Sequence, residues 1–325
     1  MMNRLLFLIN PVSGIGKQRT IEKLIESELD KNKVQADVAY TQYKGHAREL
    51  SAGAVDDYDV VVAVGGDGTV NEVASRLVGT DTALAIIPAG SGNGLARYLQ
   101  IPLRAQKAVQ ALNYINLRKI DTLKVNQFCS VNVAGVGFDA HISHSFEGRK
   151  LRGPLSYAQL VSAEFAKYKT NFFKVTIDNE KSFKDVFLIS FANSSQYGNN
   201  VYIAPNAKID DGLVDVCVIN RFPKIIAGAI LLTLFGKTME QNDFEEITKA
   251  KHIEIESDDE IKGHIDGEPV MLGKKAIVKV VPLSLNVVVP PKHLVDRWTD
   301  PFVEFIPNIE DFVNEYILNK KKEDQ

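Results

Sequence analysis

Along the first third of the chain, short continuous apolar runs alternate with stretches whose apolar residues recur at helical spacing. RLLFLI (4–9) precedes a stretch from Gln18 to Asp30 with Ile21, Leu24, Ile25 and Leu29 on one face. VQADVAY (34–40) precedes a helical pattern from Gly45 to Val55, VVVAV (60–64) leads into Val70–Val78, and ALAII (83–87) leads into Leu95–Leu99. Continuous apolar strands separated by helices are the mark of a parallel sheet covered on both faces. In such a doubly wound fold, ligands bind beyond the carboxyl ends of the strands. Those ends carry NPVSG, TQYKG, GGDGT and PAGSGN, four polar or glycine-rich loops expected on one edge.

From about Asp121 the pattern changes to alternating segments joined by hairpin signals, at Asn126-Gln127, at Asn179-Glu180, and several times between residues 253 and 290. Helical patterns interrupt it at Ser156–Lys167 and Lys224–Gly236. The expectation is a doubly wound α/β domain over 1–122 and a mostly antiparallel β-sandwich over 123–291. A last amphipathic stretch, carrying Phe305, Ile309, Phe312 and Tyr316, places 292–325 back on the first domain, with NKKKEDQ as a solvated end.

Composition narrows the function. With 325 residues, 45% apolar and 24% charged, the chain reads as a two-domain globular protein. A formal charge of -3 gives no general attraction for nucleic acid, so DNA or RNA is not an expected partner. Cys129 and Cys217 each sit in an apolar run, as buried thiols do. The opening MMNRLLFLINPVSG has too few apolar residues for a signal peptide, and a cytoplasmic location is expected. IIAGAILLTLF (225–235) falls short of the roughly 20 residues that cross a bilayer. It reads as a buried helix or as one touching a membrane surface.

The glycine loops carry the chemistry. Gly16-Lys17 is not a Walker A motif, because Pro11 stands where its first glycine belongs and no Ser or Thr follows Lys17. Gly14-Ile15-Gly16 is not a dinucleotide fingerprint either, because Arg19 takes the place of its third glycine. What remains is a set of backbone N–H groups exposed by glycines and backed by helix N-termini, an arrangement that attracts phosphate. Asp67 beside phosphate then calls for a cation or a proton, and magnesium is the expected bridge. Taken alone, GGDG is equally a simple turn. His141, His144, His252 and His264 lack the mutual spacing of a metal site.

Asn10-Pro11-Val12-Ser13-Gly14, Gly65-Gly66-Asp67-Gly68-Thr69-Val70-Asn71-Glu72 and Pro88-Ala89-Gly90-Ser91-Gly92-Asn93, in that order, resemble the diacylglycerol kinase catalytic-domain family. Bacterial YegS-like lipid kinases and sphingosine kinases belong to it. Ile120-Asp121, Asn132–Asp139, Asp211-Gly212-Leu213 and Asp266-Gly267-Glu268 extend the resemblance over nearly the whole chain. It implies ATP bound through Asn10 to Gly14, Thr41, Gly65 to Asn71, and Ser91. It further implies that Glu268 accepts a proton, that Asp67 and Asp121 stand near a catalytic magnesium, and that Lys208, Asp211 and Leu213 hold a structural one.

The implied activity is an ATP-dependent, magnesium-assisted phosphorylation of a hydroxyl on diacylglycerol or a similar lipid. A sphingoid-base kinase, an NAD kinase-like enzyme and a nucleotide-binding module without catalysis are the alternatives. Gly94 departs from those bacterial members with an aspartate there, which bears on the metal network and the lipid. The partner is a lipid at a membrane surface, contacted peripherally, with Arg149, Lys150 and Arg152 as a basic cluster for anionic headgroups. A homodimer is an open expectation.

Overall fold

A computed structural model of the chain describes residues 2–13, 18–146, 161, 163–165, 167–223 and 244–295. The four apolar runs form β1 (Asn3–Ile9), β2 (Val34–Tyr40), β3 (Val60–Gly65) and β4 (Ala83–Pro88), interleaved with α1 (Gln18–Glu28), α2 (His46–Ala54), α3 (Asp67–Leu77) and α4 (Gly94–Tyr98). A further helix, α5 (Ala105–Ala111), follows where the apolar spacing announces none. β1 pairs in parallel with β2 on one side and β3 on the other, and β3 pairs in parallel with β4. Every residue of β3 and β4 is buried, which is why both runs lack alternation. The chain switches sides of β1 between β2 and β3, so the loops after β1 and β3 diverge and leave a crevice.

The second domain is antiparallel. Its strands are β5 (Leu117–Val125), β6 (Phe128–Ser130) and β7 (Val133–Gly137), then, after helix α6 (Phe138–Phe146), β8 (Asn171–Ile177), β9 (Glu180–Ala192), β10 (Gln196–Gly198) and β11 (Val201–Tyr202). β12 (Val214–Asn220), β13 (Glu245–Ala250), β14 (His252–Glu256), β15 (Lys262–Ile265), β16 (Glu268–Met271) and β17 (Lys275–Val288) complete it. Long β9 pairs with β8 through its first half and with β7 and β12 through its second. Leu123, Val136, Phe173, Ile189, Ile253 and Val278 lie in the core between the layers.

β17 joins the two domains. Its first part pairs with β14 and β5. Beyond an irregularity where Leu283 takes a positive φ of 44°, Val287 pairs in parallel with Leu84 of β4. Leu285, Val287 and Val288 thereby enter the core of the first domain. The chain returns to that domain before residue 292, and His293 then packs edge-on against Tyr114 at 5.3 Å. The segment beyond Val295, with its expected helix, lies outside the described residues, as do Gly14, the cluster Arg149, Lys150 and Arg152, and Lys224–Gly236. Among the described residues no helix is long and apolar enough to cross a membrane.

Candidate active site

A cleft of about 660 Å³ opens at the carboxyl ends of β1 and β3, within the usual range for small-molecule sites. Asn10, Thr41, Gly68 and Thr69 face it from the first domain, and Phe128, Cys129 and Glu268 from the second. GGDGT, which reads as a loop, is here the start of a helix: Gly66 caps α3, and Asp67-Gly68-Thr69 open its first turn. The N–H groups of such a turn lack intrahelical partners, so the positive end of α3 borders the cleft.

The neighbouring loops are tied to this helix. Asn10 accepts the Val12 N–H at 3.0 Å and donates its amide to Thr69 Oγ1 at 3.0 Å. Glu72, one turn along, accepts the Gly45 N–H at 2.8 Å and so holds the loop that carries buried Thr41. In the loop after β1, Pro11 and Val12 are exposed and Ser13 is half-buried, while Val70 faces the core. Ser91 is exposed and is not among the residues lining the cleft.

Gly66, Gly90 and Gly94 also let the loops approach each other closely. A Cβ on Gly90 would come within 2.5 Å of the Gly66 Cα, so the third and fourth loops touch backbone to backbone. Asp67 turns into that contact and away from the cleft: Oδ2 accepts the Asn93 N–H at 2.9 Å and Oδ1 the Gly94 N–H at 2.8 Å. Burial pushes its carboxyl up to about 6; the two N–H bonds oppose the rise, and the charge of Asp266 adds to it. Two backbone N–H groups thus already answer part of the Asp67 charge. Gly94 has no room for a side chain, because a Cβ there would run into the Asn132 amide and within 2.6 Å of the Tyr197 carbonyl oxygen.

Glu268 reaches the cleft on a hairpin. Asp266 and Gly267, with φ of 49° and 88°, make the two-residue turn between β15 and β16. The Asp266 carboxylate is a hub that spacing does not reveal. It accepts Ser130 Oγ at 2.6 Å, the N–H groups of Val131, Asn132 and Val133 at 3.0, 3.0 and 3.1 Å, and the Asn71 amide at 2.8 Å. Asn71 belongs to α3 and also donates to the Cys129 carbonyl at 2.8 Å, so it clamps one domain to the other. Glu268 Oε1 consequently lies 3.0 Å from where a Cβ on Gly68 would stand, and Oε2 is 2.7 Å from Lys44 Nζ. Lys44, Arg48 and Arg76 give the cleft three cations that sequence reasoning missed. Lys44 and Glu268 are 224 positions apart, so no local pattern links them.

Two of the acids expected near metal ions have protein partners in this fold. Asp121 is fully buried and is not brought to the cleft: Oδ2 accepts the Gly212 N–H and Oδ1 the Leu283 N–H, both at 2.7 Å. It pins the bend in β17 to the loop after Ile209. Asp211, expected to bind a structural magnesium with the carbonyls of Lys208 and Leu213, already has a cation. Its Oδ2 meets Lys249 Nζ at 2.6 Å and its Oδ1 accepts the Leu213 N–H at 3.1 Å, with Asp215 3.6 Å from the same ammonium. Burial lowers the Lys249 pKa, but Asp211 and Asp215 outweigh it and the net shift is upward. Among the described residues no three His, Cys, Asp or Glu side chains converge on a metal site. In this arrangement the Lys249 ammonium occupies the side of Asp211 that a structural ion would use.

A melting curve tests this arrangement. EDTA is expected to leave the melting temperature of the protein unchanged. Lys249→Met leaves two carboxylates facing each other and is expected to cost on the order of 1–3 kcal/mol, part of it recovered with magnesium. A wild-type protein that melts earlier in EDTA would overturn the assignment.

Comparison with known proteins shows the family and the fold. The diacylglycerol kinase catalytic domain matches residues 4–125, and the YegS C-terminal NAD kinase beta sandwich-like domain matches residues 132–289. A diacylglycerol kinase of Mycobacterium tuberculosis is 29% identical over 302 residues, which cover 88% of this chain and 94% of the relative. A "Probable lipid kinase YegS-like" of Chromohalobacter salexigens is 29% identical over 229 residues, 69% of this chain and 73% of its own. The fold is shared with a diacylglycerol kinase crystal structure from Bacillus anthracis at a TM-score of 0.68 and 20% identity, covering 89% of this chain and 97% of that one. With the catalytic domain followed by its C-terminal companion, the chain is an enzyme that belongs to the diacylglycerol kinase catalytic-domain family.

Proposed function

We propose that the protein is an ATP-dependent lipid kinase that moves the γ-phosphoryl group onto a hydroxyl of diacylglycerol or a similar lipid. The observation that carries this reading is the seat of Glu268, a carboxylate delivered by the second domain to the amino end of α3. A proton acceptor beside a phosphate-attracting helix end is what transfer to an alcohol requires. The diacylglycerol kinase of M. tuberculosis, similar over most of this chain, supports the choice of acceptor.

Asn10 to Ser13, Thr41 and the Gly65–Asn71 segment hold the nucleotide, with Lys44, Arg48 and Arg76 answering the triphosphate charge. Magnesium arrives on the phosphates as part of the substrate. The lipid oxygen attacks the γ-phosphorus, the new O–P bond forms as the bond to the β,γ-bridging oxygen breaks, and ADP leaves. The hydroxyl proton passes to Glu268. Lys44 holds this carboxylate at 2.7 Å, and the triphosphate offers the ammonium a more highly charged partner. The enzyme works on a membrane surface from the cytoplasmic side, where ATP is supplied.

The test is transfer itself. With γ-labelled ATP, magnesium and vesicles containing diacylglycerol, monoacylglycerol or a sphingoid base, label is expected in phosphatidate, identified by mass spectrometry. A purified, folded protein that labels no lipid in this panel would overturn the proposal.

A further inference from the structure

We infer that His264 and Asp139 are positioning residues that lock the turn before Glu268, an inference that rests on reading Glu268 as the proton acceptor. His264 lies on β15, is 2% exposed, and stands just before the turn. Its Nδ1 accepts the Gly267 N–H at 3.3 Å, and its Nε2 is 3.1 Å from Asp139 Oδ2. The same carboxylate oxygen receives Ser190 Oγ and the Tyr197 hydroxyl, each at 2.9 Å, while Oδ1 accepts the Ala140 N–H at 2.7 Å. Burial holds the Tyr197 hydroxyl far above its usual pKa, with the charge of Asp139 adding to this, so it stays a neutral donor. Gly135 makes the meeting of Asp139 and His264 sterically allowed: a Cβ there would come within 2.5 Å of Asp139 Oδ2 and 2.9 Å of His264 Nε2.

A neutral imidazole carries one N–H and one lone pair. Here the lone pair must be on Nδ1 to receive Gly267, and the proton on Nε2 to meet Asp139. The carboxylate thus selects the tautomer that can hold the turn, as a buried acid does for other functional imidazoles. The turn is then fastened at each donor, with the Asp266 N–H on the Val133 carbonyl at 3.0 Å and the Gly267 N–H on His264. Glu268 follows directly, so rotation of the Gly267 peptide displaces the base. A shift near 1 Å at a reacting group costs up to about 10²-fold in rate.

Two substitutions separate the contacts, because an asparagine amide stands where Nδ1 is and a glutamine amide where Nε2 is. His264→Asn keeps an acceptor for Gly267 and is expected to retain kcat close to that of the parent. His264→Gln keeps only the donor to Asp139 and is expected to lower kcat roughly 10–100-fold, with ATP affinity and melting temperature held. Amide exchange reads the anchor without reference to activity: Gly267 exchanges faster in His264→Gln than in His264→Asn. Nitrogen NMR of the wild-type protein is expected to show His264 protonated on Nε2.

Wild-type kcat and Gly267 protection in His264→Gln, or an Nδ1-protonated His264, overturns the inference. Glu268→Gln measured alongside keeps the two readings apart. Full activity in that variant sinks the proton-acceptor role, whatever the His264 variants show. Its inactivation together with an unaffected His264→Gln sinks only the positioning role.

Discussion

Glu268→Gln is expected to lower kcat by roughly 10²–10⁴-fold, the usual contribution of a positioned base, while ATP still binds. The amide matches the carboxylate in shape but cannot take the hydroxyl proton. It also weakens the contact with Lys44, whose ammonium lies 2.7 Å from the carboxylate, and removes a negative charge from beside the nucleotide cleft. Nucleotide affinity measured by calorimetry should therefore stay level or tighten. Because Glu268 is about half-exposed on its hairpin, folding is little affected, and an equal melting temperature makes the kinetic loss interpretable. An active Glu268→Gln variant would mean that the alcohol gives up its proton elsewhere.

The second large effect is on the fold as much as on the site. Asp266→Ala removes one acceptor from five donors in a region where Asp266 itself is only 7% exposed. Each unsatisfied buried donor costs about 1–3 kcal/mol, and after relaxation the loss is expected to be on the order of 4–5 kcal/mol. Denaturant titration measures it. Asp266→Asn keeps one acceptor oxygen and sets an NH₂ against the remaining donors, so it should fall between the parent and the alanine variant. Since Asn71 then keeps only the Cys129 carbonyl of its two partners across the domain boundary, the Glu268 hairpin loosens and kcat falls with stability. A stable Asp266→Ala protein with full activity would show that the hub does not hold the domains in register.

Both effects involve residues that were partly legible. The Asp-Gly turn and Glu268 stand next to each other in the sequence, and turn chemistry announces the hairpin. That five donors from α3 and the 130–133 segment converge on the turn's aspartate is not a property of any window. GGDGT illustrates the opposite error. Glycine and aspartate have low helix propensity, so the start of α3 reads as loop, and only its packing against the Gly90 loop makes the first turn helical. The acids at 67, 121 and 211 look alike in a chain of letters. In the fold, backbone N–H groups take the first two and Lys249 takes the third, leaving Glu268 as the carboxylate over α3.

By itself the sequence determined the parallel layer, the antiparallel second domain, and the edge on which the loops gather, because the period of apolar residues reports which faces are buried. Tertiary structure alone decided the partner of each carboxylate, the shared strand β17 and the seat of Glu268 above Gly68. Such pairings join residues tens to hundreds of positions apart, and their free energy depends on distance and burial, which periodicity along a chain does not encode.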